Sequence, residues 1–185
     1  MYMARRITVT RRRNLPHWEA EEGTYFVTIR LIDSLPAFLG RLRKRALIEE
    51  ALDAGYGSAD LAKPAVARMV AEAIRHLHGR RYLLHSFSVM PNHVHIVFRT
   101  MPGFHSRAVL RDLKRFTAHE ANAILHRDGP FWQADAYSHL IRDEKELQGA
   151  NAYVLDNPAK ANLRDWPWVE AFETDYYVKY EPEEE

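Results

Sequence analysis

The feature that most narrows the fold is the alternating run His93-Val94-His95-Ile96-Val97-Phe98. In a strand, successive side chains point to opposite faces, so His93 and His95 share one face while Val94, Ile96 and Phe98 share the other. An apolar run over residues 82–90 precedes it, and Pro91-Asn92 between the two reads as a tight turn. The two runs therefore form a hairpin whose turn determines where the histidines emerge. Two imidazoles two residues apart on one strand face can share one metal ion.

A second stretch, Tyr153-Val154-Leu155-Asp156-Asn157-Pro158, reads as the end of a helix. Asp143 opens that helix as N-cap, with Glu146 three residues on at the spacing of a capping box. The helix is expected to stop near Asn157, because Pro158 disfavours the helical conformation for the residue before it. Leu147, Ala150 and Val154 form its apolar stripe, and Gly149, Tyr153 and Asn157 fall at i, i+4, i+8 on a neighbouring stripe. A mid-helix glycine costs about 1 kcal/mol relative to alanine, which makes sense if the face beside Tyr153 stays open for a ligand.

The remaining pattern frames these two stretches. Tyr25, Val27, Ile29 and Leu31 alternate with Phe26, Thr28 and Arg30, giving a first strand. Helical spacing follows over residues 36–54 and again after Pro64, where Val66, Met69, Val70, Ala73, Ile74 and Leu77 share a face. A third helix, capped by Ser106, has Val109, Leu110, Leu113, Phe116, Ala121 and Ile124 as its expected buried stripe. Residues 136–142 offer a short strand with Tyr137, His139 and Ile141 on one face. Trp166, Trp168 and Phe172 are apolar enough to pack back on the body. This order predicts an α+β sandwich, an antiparallel sheet with helices mainly on one face. Val94, Ile96 and Phe98 would meet those helices, and His93 and His95 would lie on the other, more open face beside the Tyr153 helix.

With 185 residues and no cysteine, the chain suits one domain with a sizeable core and has neither disulfides nor thiolate ligands. No apolar run is long enough to cross a bilayer, and no signal-peptide segment follows the arginine-rich start. A soluble cytoplasmic protein without membrane contact is expected. The net charge is only +1, but its distribution is uneven. Residues 1–22 read as an extended or mobile basic arm, residues 23–175 as the single domain, and residues 176–185 as an acidic tail. Candidate cations for following a nucleic-acid phosphate backbone are Arg11, Arg12 and Arg13 in the arm, Arg41, Arg43, Lys44 and Arg45 in the middle, and Arg107, Arg111, Lys114 and Arg115 on the third helix.

Taken in order, Met90-Pro91-Asn92-His93-Val94-His95, Phe131-Trp132-Gln133, Ile141-Arg142-Asp143-Glu144 and Tyr153…Asn157-Pro158-Ala159-Lys160-Ala161 resemble the REP-associated tyrosine transposases, a branch of the single-tyrosine HUH transposases. The resemblance runs from about Arg11 to about Trp168. It implies a ferredoxin-like sheet, Tyr153 as nucleophile, His93 and His95 as metal ligands and Asn157 as the third ligand. It also implies single-stranded DNA with an imperfect hairpin as partner, at the bacterial nucleoid, and a covalent 5′-phosphotyrosine intermediate. Imidazole, amide and water ligands suit Mg²⁺ or Mn²⁺; the ligand types admit zinc as well. Two departures stand out: Asn162 replaces the family's usual glycine, and Ser138 replaces an acid before His139. Two other readings stay open, a hairpin-binding regulator without chemistry and a metal-dependent nuclease that uses water. Monomer and homodimer are equally open.

Overall fold

The computed structural model describes residues 7–12, 15–35, 48, 51, 52 and 54–174. The expected helix over 36–54 lies largely outside the described residues, as do Arg13, Arg41, Arg43, Lys44, Arg45 and the acidic tail. For Arg11 and Arg12 only the backbone is described.

The described part of the basic arm is a two-stranded antiparallel ribbon. Strand β1 (Ile7–Arg12) pairs with β2 (Leu15–Ala20), from Ile7 opposite Ala20 to Arg12 opposite Leu15. The chain then enters a five-stranded antiparallel sheet. Its strands are β3 (Thr24–Arg30), β4 (Tyr82–Val89), β5 (His93–Thr100), β6 (Tyr137–Leu140) and β7 (Val169–Ala171), in the order β6-β3-β5-β4-β7. The fold class is α+β, as the order of elements predicted. No helix among the described residues is long and apolar enough to cross a membrane.

Strand alternation sorts the sheet into two faces. Tyr25, Val27 and Ile29 from β3, Leu84, Phe87 and Val89 from β4, and Val94, Ile96 and Phe98 from β5 form the main core. It is covered by α1 (Pro64–Leu77), through Val66, Val70 and Ile74, and by α2 (Ser106–Leu125), through Val109, Leu110 and Leu113. On the other face Phe26, Val97 and Ile141 pack against Leu147 and Val154 of α3 (Glu144–Lys160). The histidine face is thus not open: α3 lies across it, and His93 and His95 are 1% and 0% exposed.

Two details of α2 differ from the sequence expectation. The buried line runs 109, 113, 117, 121 in steps of four, so Thr117 is buried while Phe116, one residue round the helix, is exposed. The Thr117 hydroxyl donates to the Leu113 carbonyl and accepts from the Trp132 indole, which removes the cost of burying it. Ser106 is not the cap. The Glu19 carboxylate of β2 instead accepts from the Ser106 hydroxyl and the Arg107 N–H, placing a negative charge at the helix start and tying the ribbon to the body.

At α3 the cap is as expected at one end and different at the other. Asp143 accepts from the Glu146 N–H, while Glu146 reaches the Arg142 N–H rather than that of Asp143. The helix does not stop at Asn157; it runs to Lys160 with Pro158 inside it. Proline there removes only a single late hydrogen bond, because the last turn is closed by other donors. The Asn162 N–H donates to the Ala159 carbonyl and the Leu163 N–H to the Pro158 carbonyl, with Asn162 left-handed at φ 57°. This is a Schellman closure, and it needs a residue that accepts positive φ. Asn162→Ala should therefore cost about 1 kcal/mol, and Asn162→Gly should be neutral or slightly stabilising. Urea denaturation of the three proteins checks this; equal midpoints for all three would remove the left-handed cap from the account.

Candidate active site

The site is built on the register between β3 and β5, which sets Thr28 opposite His95 and Arg30 opposite His93. Residues directly opposite in an antiparallel pair project on the same side, so Phe26, Thr28 and Arg30 share a face with His93, His95 and Val97. On the other side of β5, Ser88 of β4 faces His95. Helix α3 lies over this row, held by the Ser86 hydroxyl, which donates to the Asn151 amide oxygen at 2.7 Å.

The two imidazoles are oriented by different partners. Asn92 donates both amide hydrogens to backbone carbonyls, those of Leu52 and Tyr56, so its oxygen must face His93. The His93 Nδ1–H donates to that oxygen at 2.7 Å, which leaves His93 Nε2 with a lone pair. His95 Nδ1 lies 2.9 Å from the Thr28 hydroxyl, and the two Nε2 atoms lie 3.0 Å apart. With His93 Nε2 as acceptor, His95 Nε2–H donates to it and Thr28 donates to His95 Nδ1. Moving one proton across the His95 ring reverses the Thr28 bond and turns both Nε2 lone pairs toward one point.

Tyr153 stands beside this pair. Its ring makes edge contacts with His95 at 5.2 Å and with Phe26 at 5.8 Å, and the Lys160 ammonium sits 5.0 Å from its centroid. Asn157, one turn after Tyr153, is 0% exposed, and neither its amide oxygen nor its nitrogen has a hydrogen bond. It nevertheless lies near enough to His93 to favour the protonated ring, against a larger opposite effect of burial that pushes the His93 pKa down to about 3. His93 is therefore neutral at pH 7, the form that binds a metal. A Cβ added at Gly149, one turn before Tyr153, would meet nothing within 4 Å, so packing does not demand a glycine there.

These residues fit a divalent ion. An octahedral ion with bonds of about 2.1 Å puts adjacent ligand atoms about 3.0 Å apart, the separation of the two Nε2 atoms. A buried amide without a hydrogen bond costs about 1–3 kcal/mol, so Asn157 is poised for a ligand. No group of three or more histidine and acidic side chains among the described residues could hold a metal. The candidate set is His93, His95 and Asn157, with Asn92 and Thr28 as the groups that aim the rings.

Sequence reading did not single out four residues near this site. Thr28 and Arg30 already fell on one strand face, but the sequence did not say that this face pairs with the histidines. Asn92 read only as a turn residue, and Lys160 only as part of a motif. Arg30 is half-buried, with its pKa lowered by burial and held up by Asp135. Farther out, the partly exposed His139 ring pairs with Glu146, beyond the aromatic cluster of Phe26 and Tyr137. Of the α2 cations, Arg111 and Arg115 are exposed with Asp112 beside them. Lys114 donates to the carbonyls of Gln133 and Ala134, and the Arg107 backbone meets Glu19. All four lie on the helix that covers the opposite face of the sheet from Tyr153.

The buried histidines make a pH prediction. His85, at a bulge of β4, has its pKa lowered to about 4 by burial and by Arg99. Below pH 6.5 the unfolded chain binds protons on His85 and His93 that the folded chain refuses. Stability should thus be level above about pH 7.5 and fall as the pH drops from 6.5 toward 4, by about 1.4 kcal/mol per pH unit for each histidine. Urea midpoints at pH 7.5 and 5.0 measure this, and equal midpoints would mean that the rings are not buried in the neutral form.

No family model matches the chain. A protein of Haemophilus influenzae whose description places it among the REP-associated tyrosine transposases is 26% identical over 110 residues. That match covers 52% of this chain and 62% of the relative, so the chain spans under two thirds of that protein's length. Among solved structures, one of a REP-associated tyrosine transposase bound to a REP hairpin superposes with a TM-score of 0.56 at 21% identity, over 86% of this chain and 80% of the other.

Proposed function

We propose, for a chain that resembles the REP-associated tyrosine transposases in sequence and has their fold, that it cuts and rejoins single-stranded DNA at hairpin sequences through Tyr153. One observation carries this reading: Tyr153 packs on His95, with the buried, unsatisfied Asn157 amide one turn further along the same helix. A regulator that only bound DNA would need none of Tyr153, His93, His95 and Asn157, and burying such polar groups costs stability.

In the proposed reaction the Tyr153 oxygen loses its proton and forms a bond to the scissile phosphorus. The bond from that phosphorus to the upstream 3′ oxygen breaks, freeing a 3′-hydroxyl and leaving a 5′-phosphotyrosine. A 3′-hydroxyl of another end then attacks the phosphorus and releases the tyrosine. One phosphoester forms and one breaks at each step, so the strand is rejoined without an outside energy source. A divalent ion, Mg²⁺ or Mn²⁺, held by His93, His95 and Asn157 would polarise a non-bridging phosphate oxygen.

The chain's own residues supply the rest. Asn92 and Thr28 keep both Nδ1 atoms engaged, so the rings cannot turn away. A phenol has an ordinary pKa of about 10, and the Lys160 ammonium over the Tyr153 ring favours its phenolate. The hairpin would be gripped by the N-terminal arginines Arg11, Arg12 and Arg13, by Arg41, Arg43, Lys44 and Arg45, and by Arg107, Arg111 and Arg115. Exchanging Arg11, Arg12 and Arg13 for alanine should weaken hairpin binding and flatten its salt dependence; an unchanged slope of affinity against salt takes the arm out of the interface.

Covalent capture tests the reaction. Purified protein, end-labelled imperfect-hairpin oligonucleotides with single-stranded flanks, and Mn²⁺ or Mg²⁺ should give an adduct that survives a denaturing gel, needs the metal and is absent from Tyr153→Phe. Cleavage without an adduct, equal in the variant, would indicate a nuclease that uses water, and binding without cleavage would indicate a regulator. Lys160→Met should slow adduct formation about tenfold at pH 7 and about half as much at pH 9, as the phenol of the variant begins to ionise by itself. A slowing that is the same at both pH values would leave Lys160 without a part in ionising the phenol.

A further inference from the structure

Arg30 occupies a position that its surroundings do not explain as packing. The β3–β5 register sets it directly opposite His93, two residues from the Thr28 hydroxyl that meets His95, so it belongs to the row of the site itself. Its backbone is held, the carbonyl accepting from the Gln133 N–H. Its guanidinium is half-buried, feels Asp135 as the neighbouring negative charge, and has no hydrogen bond to another described residue. An arginine stays charged in a protein and offers five donors in a rigid fork. Half-burying such a group without hydrogen bonds is unfavourable unless an anion completes it. Arg30, Tyr137 and Tyr153 are the partly exposed members of a site whose histidines and Asn157 are fully buried, so an incoming strand meets them first.

We infer that Arg30 clamps the scissile phosphate, donating two hydrogen bonds to its non-bridging oxygens while Tyr153 attacks. This assignment rests on the strand-cleavage reading and adds to it the group that orients the phosphate from the sheet side. A bidentate arginine fits two phosphate oxygens at once and stabilises the negative charge they carry in the transition state. The hairpin itself is gripped elsewhere, so Arg30 should act on the rate and not on affinity.

The test is single-turnover adduct formation by wild type, Arg30→Gln and Arg30→Lys with Mn²⁺, on the oligonucleotide that wild type captures best, alongside hairpin affinity by titration without metal. Arg30→Gln should form the adduct about 100-fold more slowly with affinity unchanged within about threefold. Millimolar guanidinium should restore part of its rate, which a merely structural role would not allow. Arg30→Lys, which keeps the charge and with it the fold, should be about tenfold slow because an ammonium lacks the fork. Wild-type rates in either variant, or a loss of affinity as large as the loss of rate, would overturn the clamp while leaving the Tyr153 reaction standing. No adduct from the wild-type protein on any hairpin would overturn the cleavage reading and the clamp together.

Discussion

The site depends first on the pairing of β3 with β5 in one register. With Thr28 opposite His95 and Arg30 opposite His93, two of the polar side chains beside the imidazoles come from directly opposed positions of the neighbouring strand. A slip of one residue would turn Thr28 and Arg30 into the apolar core and bring Val27 and Ile29 against the rings. The apolar halves of the same strands forbid the slip, because Val27, Ile29, Val94 and Ile96 are all needed in the main core. The hydrophobic pattern that folds the sheet therefore also aligns the chemistry.

Burial is the second constraint, and it acts in two directions. Burying His93 and His95 under α3, with Asn157 on the helix itself, excludes water and holds the His93 ring neutral, which suits metal binding. The same burial leaves an amide without hydrogen bonds and makes His93 a liability at low pH. A fold selected for stability alone would replace these groups with apolar ones of similar volume. Their presence beside a tyrosine is what supports the proposed reaction at this place.

Helix α3 joins the two. Its cap at Asp143, its anchor from Asn151 to Ser86 and its Schellman end at Asn162 set both its ends and its rotation. With the rotation set, Leu147 and Val154 meet Phe26 and Val97, and Tyr153 meets His95. Pro158 is accommodated in the last turn, so Lys160 remains helical and can reach the Tyr153 ring.

Much of this was legible in the residues. Alternation alone divided His93 and His95 from Val94, Ile96 and Phe98, and i+4 spacing alone put Asn157 beside Tyr153, because both periods are local properties of the backbone. The end of that helix was not: local logic stopped it near Asn157, before Pro158, whereas it runs to Lys160 and closes at the left-handed Asn162. The closeness of His95 to Tyr153, the orientation of Asn92 by two distant carbonyls, the Glu19 cap on α2 and the place of Arg30 were settled only by tertiary structure. Each depends on which strands become neighbours and in what register, and no local pattern encodes a pairing between residues 67 positions apart, such as Thr28 and His95.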